Sequence, residues 1–246
     1  MSVPDISVVS PVFNEEENLP LLAQQIVGVL CPLKRSYEII FVDDGSTDGS
    51  YAKLRELQKE YGEIRLLRHR INSGESAAEL TGFRHARGQT IITIDSDLQN
   101  DPADIPAMLA MLETCDVVCG RRNKREDSWL KRVSSRVANW VRNALLHDSI
   151  HDAGCTYRAI RRAAIEIELI PFRGLHRFLP TIWKTHGFRV KEIAVNHRPR
   201  FKGQSKYGLW NRLGVGIRDI FAIRWYRRRY IPASRLLDSD SDLADR

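Results

Sequence analysis

Two carboxylates and an amide close an apolar, β-branched run in this sequence, Thr90-Ile91-Ile92-Thr93-Ile94-Asp95-Ser96-Asp97-Leu98-Gln99. Ile and Thr suit a buried strand, and the ligand crevice of an open parallel sheet lies at the carboxyl ends of its strands. If the backbone stays extended, the period of two turns Asp95 and Asp97 to one face. Two hard oxygen ligands there could grip a divalent cation and its attached phosphates. A simple turn is the equally weighted alternative, since Asp is common after strands. A second acidic pair, Asp43 and Asp44, ends Glu38-Ile39-Ile40-Phe41-Val42 ahead of Gly45-Ser46-Thr47-Asp48-Gly49. Arg121 and Arg122 follow Asp116-Val117-Val118-Cys119-Gly120 and have the chemistry of a phosphate clamp. They equally suit a solvated basic loop, because Lys124, Arg125, Glu126 and Asp127 continue the charge run. The basic, glycine-containing run from His197 to Tyr207 can close over phosphates.

The elements that would position these groups alternate. Strands are expected at 6–10, 38–43, 64–67, 90–94 and 116–120. Helices are expected at 16–30, from Thr47 or Asp48 as cap to Tyr61, at 75–87 and at 105–113. Alternation of this kind over 120 residues argues for a doubly wound, mostly parallel sheet with flanking helices, an α/β Rossmann-like architecture. Further on, strands are expected at 155–160 and 188–195, a helix at 161–169 and a helical segment from Phe172. His176 could be a general base, although a lone His beside aromatics is more often structural. Two basic amphipathic helices are expected, 128–146 and 209–230. The second ends in Trp225, Tyr226 and Arg227-Arg228-Arg229, which is interfacial chemistry. The stretch 235–246, rich in Asp and Ser, reads as a disordered tail.

Composition narrows the function classes. With 43% hydrophobic and 28% charged residues the 246-residue chain is not disordered, and its net charge of +7 favours acidic partners. Cys31, Cys115, Cys119 and Cys155 are too few and scattered for a disulfide framework and lack a second pair at zinc-ligand spacing. Cys115 and Cys119 read as buried, inert thiols. The start does not resemble a signal peptide, and no run approaches the roughly 18–20 apolar residues that cross a bilayer. The expected compartment is the cytosol, with any membrane contact peripheral.

Taken in order, Pro11-Val12-Phe13-Asn14-Glu15-Glu16-Glu17-Asn18-Leu19, Val42-Asp43-Asp44-Gly45-Ser46-Thr47-Asp48-Gly49, Asn72-Ser73-Gly74, Asp95-Ser96-Asp97-Leu98-Gln99, Gly120-Arg121-Arg122 and Arg200-Phe201-Lys202-Gly203-Gln204-Ser205-Lys206 form a specific series. The chain to about Tyr230 thereby resembles family 2 glycosyltransferases of the GT-A fold, in the branch that makes polyprenyl-phosphate sugars, the dolichyl-phosphate mannose synthase group. The resemblance implies a glycosyltransferase domain at 1–207, an amphipathic membrane-interface region at 208–231 and a tail at 232–246. It implies that Pro11, Phe13, Glu15, Val42 and Asp44 hold the base and ribose of a nucleotide sugar. It further implies that Asp95 and Ser96 face the donor, that Asp97 and Gln99 bind Mg²⁺ or Mn²⁺ on the diphosphate, and that Arg122, Arg200 and Lys206 contact phosphates. Asp95, Asp97, Gln99 and Arg122 would then be catalytic, in an inverting transfer to a polyprenyl phosphate. The setting would be the inner face of the cytoplasmic membrane, reached monotopically or through a membrane-protein partner or homo-oligomer. Phe13 stands where Tyr is common in the family. Glu75 stands where Lys or Gln is common, and a carboxylate there would repel an anion.

Three rivals carry sequence-level weight. A haloacid dehalogenase type phosphatase also places Asp-x-Asp after a strand, but that motif normally continues to a Thr, and Leu98-Gln99 follows here. A basic nucleic-acid or anionic-lipid binding module leaves Asp43, Asp44, Asp95 and Asp97 hostile to a polyanion, so no nucleic-acid partner is expected. Transfer to a glycan or lipid hydroxyl is the closest competitor and would need a base, for which Asp152 and His176 are the candidates.

Overall fold

Each apolar run that alternates with a helix becomes a strand of one sheet. The structure is a computed structural model, and it describes residues 3–122, 142, 145, 146, 148–199 and 210–231. At the centre β1 (Ile6–Val12) lies parallel to β2 (Tyr37–Asp43) on one side and to β4 (Thr90–Thr93) on the other, and β3 (Ile64–Arg68) extends the sheet beyond β2. Past β4 come β6 (Arg158–Arg161), antiparallel to both its neighbours, then β5 (Val117–Arg122), and finally β7 (Val190–Val195) parallel to β5. The expected mostly parallel sheet is therefore present, with β6 its single reversed strand among those described.

The period of two divides the core between the two faces of this sheet. Ile6, Val8 and Val12 of β1 pack with Leu19, Leu22 and Ile26 of α1 (Leu19–Leu30), Leu54 of α2 (Ser50–Glu60) and Met108 of α4 (Ile105–Leu112). Val9, with Ile40 and Val42, packs on the opposite face against Ala78 and Phe83 of α3 (Glu75–His85) and Leu179 and Trp183 of α6 (Leu179–Thr185). Helix α3 comes so close that a Cβ at Gly82 would run into the Val9 side chain, which is why the helix carries a glycine there.

Several boundaries differ from the sequence expectation, and each shift has a local cause. Helix α1 starts at Leu19 rather than Glu16, because 14–16 are used to latch the loop after β1 to the loop after β2. The Asn14 and Glu15 N–H groups donate to Ser46 Oγ and Ser50 Oγ at 3.0 and 2.8 Å, and the Glu16 carboxylate accepts from the Gly49 N–H at 3.0 Å. Helix α2 begins at Ser50, whose N–H donates to Asp48 Oδ1 at 3.0 Å. The strand expected from Cys155 begins at Arg158, the two residues before Tyr157 being drawn into a turn and a side-chain network. The expected helix 161–169 is one turn, α5 (Arg162–Ile165), and the helical segment expected from Phe172 begins as a 3-10 turn at Leu175–Arg177 and continues in α6. The 128–146 helix, the 200–206 loop, the 232–246 tail and the segment joining 199 to 210 lie wholly or mostly outside the described residues.

The last described helix, α7 (Trp210–Arg229), is fastened to α6 from one side. Ile223 is buried in the core, and both nitrogens of His186 are bonded, Nε2 to Tyr226 Oη at 2.7 Å and Nδ1 to Tyr230 Oη at 2.9 Å. Ile220 packs on the same core, whereas Phe221 is 56% and Trp225 65% exposed. Ile220 and Phe221 thus point to different surroundings.

Beneath the ends of β4 and β5 lies a fully buried guanidinium. Arg158 Nη1 donates to Glu79 Oε1 of α3 at 2.9 Å, and Nη2 donates to the His176 carbonyl at 2.7 Å. Burial pushes the Glu79 carboxyl up, and Arg158 opposes that shift. Removing one partner of such a pair strands a charge without water, so Glu79→Ala should lose about 3–5 kcal/mol of stability, read by urea denaturation. A loss below about 1 kcal/mol would show that the pair does not fasten β6 to α3.

Candidate active site

The carboxyl ends of β1, β2, β4 and β5 open into one cavity of about 460 Å³. Its lining includes Pro11 and Val12 at the end of β1, Phe13 and Glu15 after it, and Asp44 after β2. It also includes Asp95, Ser96 and Asp97 after β4, Arg122 at the end of β5, and Gly154 and Thr156 before β6. Gly74, Glu75 and Ala78 at the start of α3, with His176 and Arg177, complete another side. The structure thus brings together Pro11, Phe13, Glu15, Asp44, Asp95, Ser96, Asp97 and Arg122 of the expected set. Val42 is fully buried in the core behind them, and Arg200 and Lys206 lie outside the described residues.

Strand β4 ends at Thr93, so the extended backbone that would aim Asp95 and Asp97 to one face is absent; a turn carries them. Asp97 Oδ1 accepts the Gln99 N–H at 3.1 Å, and Leu98 between them has φ +61° while its side chain is buried in the core. A left-handed Leu costs about 1–2 kcal/mol, held here by the burial of its own side chain. Asp95 takes the Thr156 hydroxyl, 2.6 and 2.7 Å from its two oxygens, and Asn100 Nδ2 at 3.3 Å. Gln99 is not among the residues lining the cavity. Its Nε2 lies 3.4 Å from His197 Nε2 and from the Arg198 carbonyl, and its own carbonyl accepts the Arg198 N–H at 2.8 Å. That pairing pins the residues leading to 200–206 beside the acidic turn.

The other charged groups are similarly held. Asp44 accepts the Ser73 and Gly74 N–H groups at 2.9 and 2.7 Å and contacts His69 Nδ1 at 2.7 Å, which fixes the loop entering α3. Gly74 has φ +91° at that entry, a conformation that favours glycine. Asp43 is buried, accepts the Ser46 N–H at 3.1 Å and lies 3.0 Å from Arg68 Nε. Arg122 makes a two-pronged pair with Asp152, Nε to Oδ2 and Nη2 to Oδ1, both at 2.7 Å. Burial works against its charge, yet the Asp152 carboxylate outweighs that and raises its pKa. Of the two candidate clamp arginines, Arg122 lines the cavity and Arg121 is exposed. Cys115, Cys119 and Cys155 are buried and Cys31 is exposed, and burial pushes Cys119 up to about 12 and Cys155 to about 11.

Sequence reasoning missed Ser76 and weighed His176 chiefly as a structural residue. Ser76 Oγ accepts the Gly174 and His176 N–H groups at 3.2 and 3.3 Å, which directs its proton to His176 Nδ1 at 2.8 Å. Nδ1 is therefore the acceptor, and the Nε2–H side faces Glu75 Oε2 at 3.6 Å. Only the pairing across 100 residues reveals this, so no local signal could have found it. Thr156 and Arg177 were missed for the same reason.

A doubly wound sheet whose strand ends gather carboxylates and an arginine around one cavity is the architecture of nucleotide-binding α/β proteins. The chain belongs to glycosyl transferase family 2, whose family model matches residues 7–167. It is 36% identical over 213 residues to the undecaprenyl-phosphate 4-deoxy-4-formamido-L-arabinose transferase of Aeromonas hydrophila, covering 85% of this chain and 65% of that protein. It is 34% identical over 231 residues to the dodecaprenyl-phosphate galacturonate synthase of Rhizobium johnstonii, covering 91% of this chain and 68% of that one. The chain thus spans about two thirds of the length of these relatives. Its fold is shared with the crystal structure of glucosyl-3-phosphoglycerate synthase from Mycobacterium tuberculosis in complex with Mn²⁺, UDP and phosphoglyceric acid. That similarity has a TM-score of 0.66 at 20% identity, over 94% of this chain and 80% of the other, and defines a GT-A fold.

Glu75 is half-buried on the cavity wall, and desolvation, then the Asp95 and Glu79 carboxylates, push it up to about 8. The native protein therefore holds a proton that the unfolded chain releases above about pH 4.5, so this group's contribution to stability falls as pH rises toward about 8. The melting temperature of Glu75→Gln minus that of the wild type should grow from about pH 5 to about pH 8 and level off beyond. A pH-independent difference would remove the shift.

Proposed function

We propose that this chain transfers a sugar from a nucleotide-sugar donor to a polyprenyl phosphate at a membrane surface, with inversion at the anomeric carbon. The observation that carries it is the single cavity shared by the loops of β1 and β2, the Asp95–Asp97 turn and Arg122. It supports this reading together with relatives named for undecaprenyl and dodecaprenyl phosphate. Pro11, Phe13, Glu15 and Asp44 would meet the nucleoside, Asp95 and Ser96 the donor, and Arg122 a phosphate whose charge it balances beside Asp152.

A phosphate oxygen of the acceptor attacks the anomeric carbon, the bond from that carbon to the diphosphate breaks, and the nucleoside diphosphate departs with the electron pair. The acceptor is already an anion, so no side chain must remove a proton. That matches the two candidate bases: Asp152 is gripped by Arg122, and His176 Nδ1 is taken up by Ser76. A hydroxyl acceptor would need one of them.

The donor set fits Mg²⁺ or Mn²⁺. Among the described residues no three His, Cys, Asp or Glu side chains converge on a metal, and these cations commonly use one or two carboxylates plus substrate phosphates. Asp97 on the cavity wall would hold it; Gln99, turned toward His197 and Arg198, would join only by reorienting. The cation would neutralise charge building on the leaving diphosphate.

The membrane side is α7. Among the described residues no helix is long and apolar enough to cross a membrane. The exposed Phe221 and Trp225 stand beside Arg224, Arg227 and Arg228, which line a cleft with Leu145 and Leu146. Aromatic and basic groups together suit peripheral attachment to an anionic leaflet, at the cytoplasmic face where nucleotide sugars are available. A membrane-protein partner or second copy could share that surface.

Asp97→Asn should lower Mn²⁺-dependent formation of sugar-linked polyprenyl phosphate by about 10²-fold or more, with unchanged circular dichroism. Near-normal turnover would displace the acidic turn from the mechanism. Phe221→Ser combined with Trp225→Ser should weaken sedimentation with phosphatidylglycerol vesicles by about 10-fold, and salt should weaken the wild type's binding. Unchanged, salt-insensitive binding would place the membrane contact elsewhere.

A further inference from the structure

We infer that Arg177 seats the phosphate of the lipid acceptor, on a wall of the cavity other than the one that takes the donor diphosphate. This deepens the proposed transfer to a polyprenyl phosphate and rests on it. Inversion requires the nucleophile to approach the anomeric carbon on the face opposite the leaving diphosphate. The cavity therefore needs two anion seats, on different walls. Asp97 with its cation and Arg122 supply one, after β4 and at the end of β5, while Arg177 stands on another with Glu75, Ala78 and His176.

Arg177 is half-buried on that wall and, among the described residues, its guanidinium makes no hydrogen bond or ion pair. The other guanidiniums around the site are spent, Arg122 on Asp152, and Arg158 on Glu79 and the His176 carbonyl. Arg177 thus keeps its planar fork of N–H donors for a ligand, and that fork matches the oxygens of a phosphate monoester. Its backbone, in contrast, is fixed. Leu175 is buried, Ser76 Oγ accepts the Gly174 and His176 N–H groups, and Arg158 holds the His176 carbonyl. An arm on so firm a support meets an anion without first ordering the turn that carries it.

The neighbours of Arg177 show the side from which its anion comes. Burial pushes the Glu75 and Asp219 carboxyls up, and the charge of Arg177 opposes the shift in both, so the guanidinium stands between the cavity wall and α7. The turn packs on the same helix, since a Cβ at Gly174, where φ is +90°, would lie 3.4 Å from Asp219 Oδ2. Helix α7 also carries the exposed Phe221 and Trp225 of the proposed membrane face. A phosphate on a prenyl chain held in the bilayer reaches the cavity from that side, whereas a nucleotide arrives from water.

The test measures binding to the full chain by calorimetry, with Mn²⁺ and saturating UDP or GDP, whichever the wild type binds. The probes are citronellyl phosphate, a short isoprenoid monophosphate that needs no bilayer, and citronellol, the same chain without the charge. With the donor seat filled, the phosphate has only the second seat to occupy. Arg177→Gln should weaken citronellyl phosphate by about 10-fold or more. The same variant should leave citronellol and the nucleoside diphosphate within about two-fold of the wild type. Arg177→Lys should recover part of the loss, because it restores the charge without the fork, and Arg177→Glu should remove binding. Undiminished citronellyl phosphate binding in Arg177→Gln, or an equal loss of the nucleoside diphosphate in a protein of normal circular dichroism, would overturn the inference. So would a loss confined to a sugar carboxylate, with UDP-glucuronate falling relative to UDP-glucose while citronellyl phosphate is unmoved, since Arg177 would then read the donor. A wild type that binds the nucleoside diphosphate but no isoprenoid phosphate would sink the acceptor proposal as well. Failure of Arg177 alone, with wild-type binding of the phosphate intact, would leave that proposal standing.

Discussion

One guanidinium without water, Arg158, sets the geometry of half the cavity. It sits at the first residue of the reversed strand, opposite Thr93 of β4 and Cys119 of β5. Its nitrogens reach Glu79 one turn into α3 and the carbonyl of His176. A buried arginine tolerates only well-placed oxygens, so it holds three segments in register. Ser76 and His176 on one side and Thr156 and Asp95 on the other inherit their positions from it. The burial of Trp183, whose ring lies 5.9 Å from the guanidinium carbon, closes the remaining side.

Above that anchor, much of the acidic rim is satisfied by the protein itself. Backbone N–H groups meet Asp43, Asp44 and Asp97, a hydroxyl meets Asp95, and a guanidinium meets Asp152. Such groups need little rearrangement when a charged ligand arrives, and preorganised dipoles stabilise developing charge better than mobile ones. The left-handed Leu98 fits this picture: its side chain is sunk in the core, so the strained turn has few other places to go.

Much of this was legible in the residues. The alternation of apolar runs and helical spacing located the strands at the centre of the sheet, because burial on both faces leaves a continuous signature. The carboxylates at 43–44 and 95–97 were legible because they interrupt those runs abruptly. Boundaries failed where side chains compete with the backbone: Asn14, Glu15 and Glu16 latch a neighbouring loop instead of starting α1. The turn at Asp97 defeated the simple alternation argument for the same reason, an Asp side chain capturing a backbone N–H two residues on. His176 looked like an ordinary packed histidine, and it is packed. Its orientation toward Glu75 depends on Ser76, 100 residues earlier, and no local pattern encodes that. The partner of Arg122 was equally hidden, since Asp152 becomes its neighbour only when β6 turns back beside β5.

That reversal has a consequence for how such a protein can change. Strand β5 ends at the cavity with Arg122, and the antiparallel β6 starts at the same end of the sheet with Arg158. The 35 residues numbered 123–157 therefore leave and re-enter the sheet at neighbouring points on the rim of the site. Change there is constrained where the chain returns to the core, since Leu146, Cys155 and Tyr157 are buried and Asp152 and Thr156 hold Arg122 and Asp95. Because the stretch departs and returns on one rim, a change in its length leaves every strand register untouched, while the side chains that come back to the core stay under the far stricter discipline of packing.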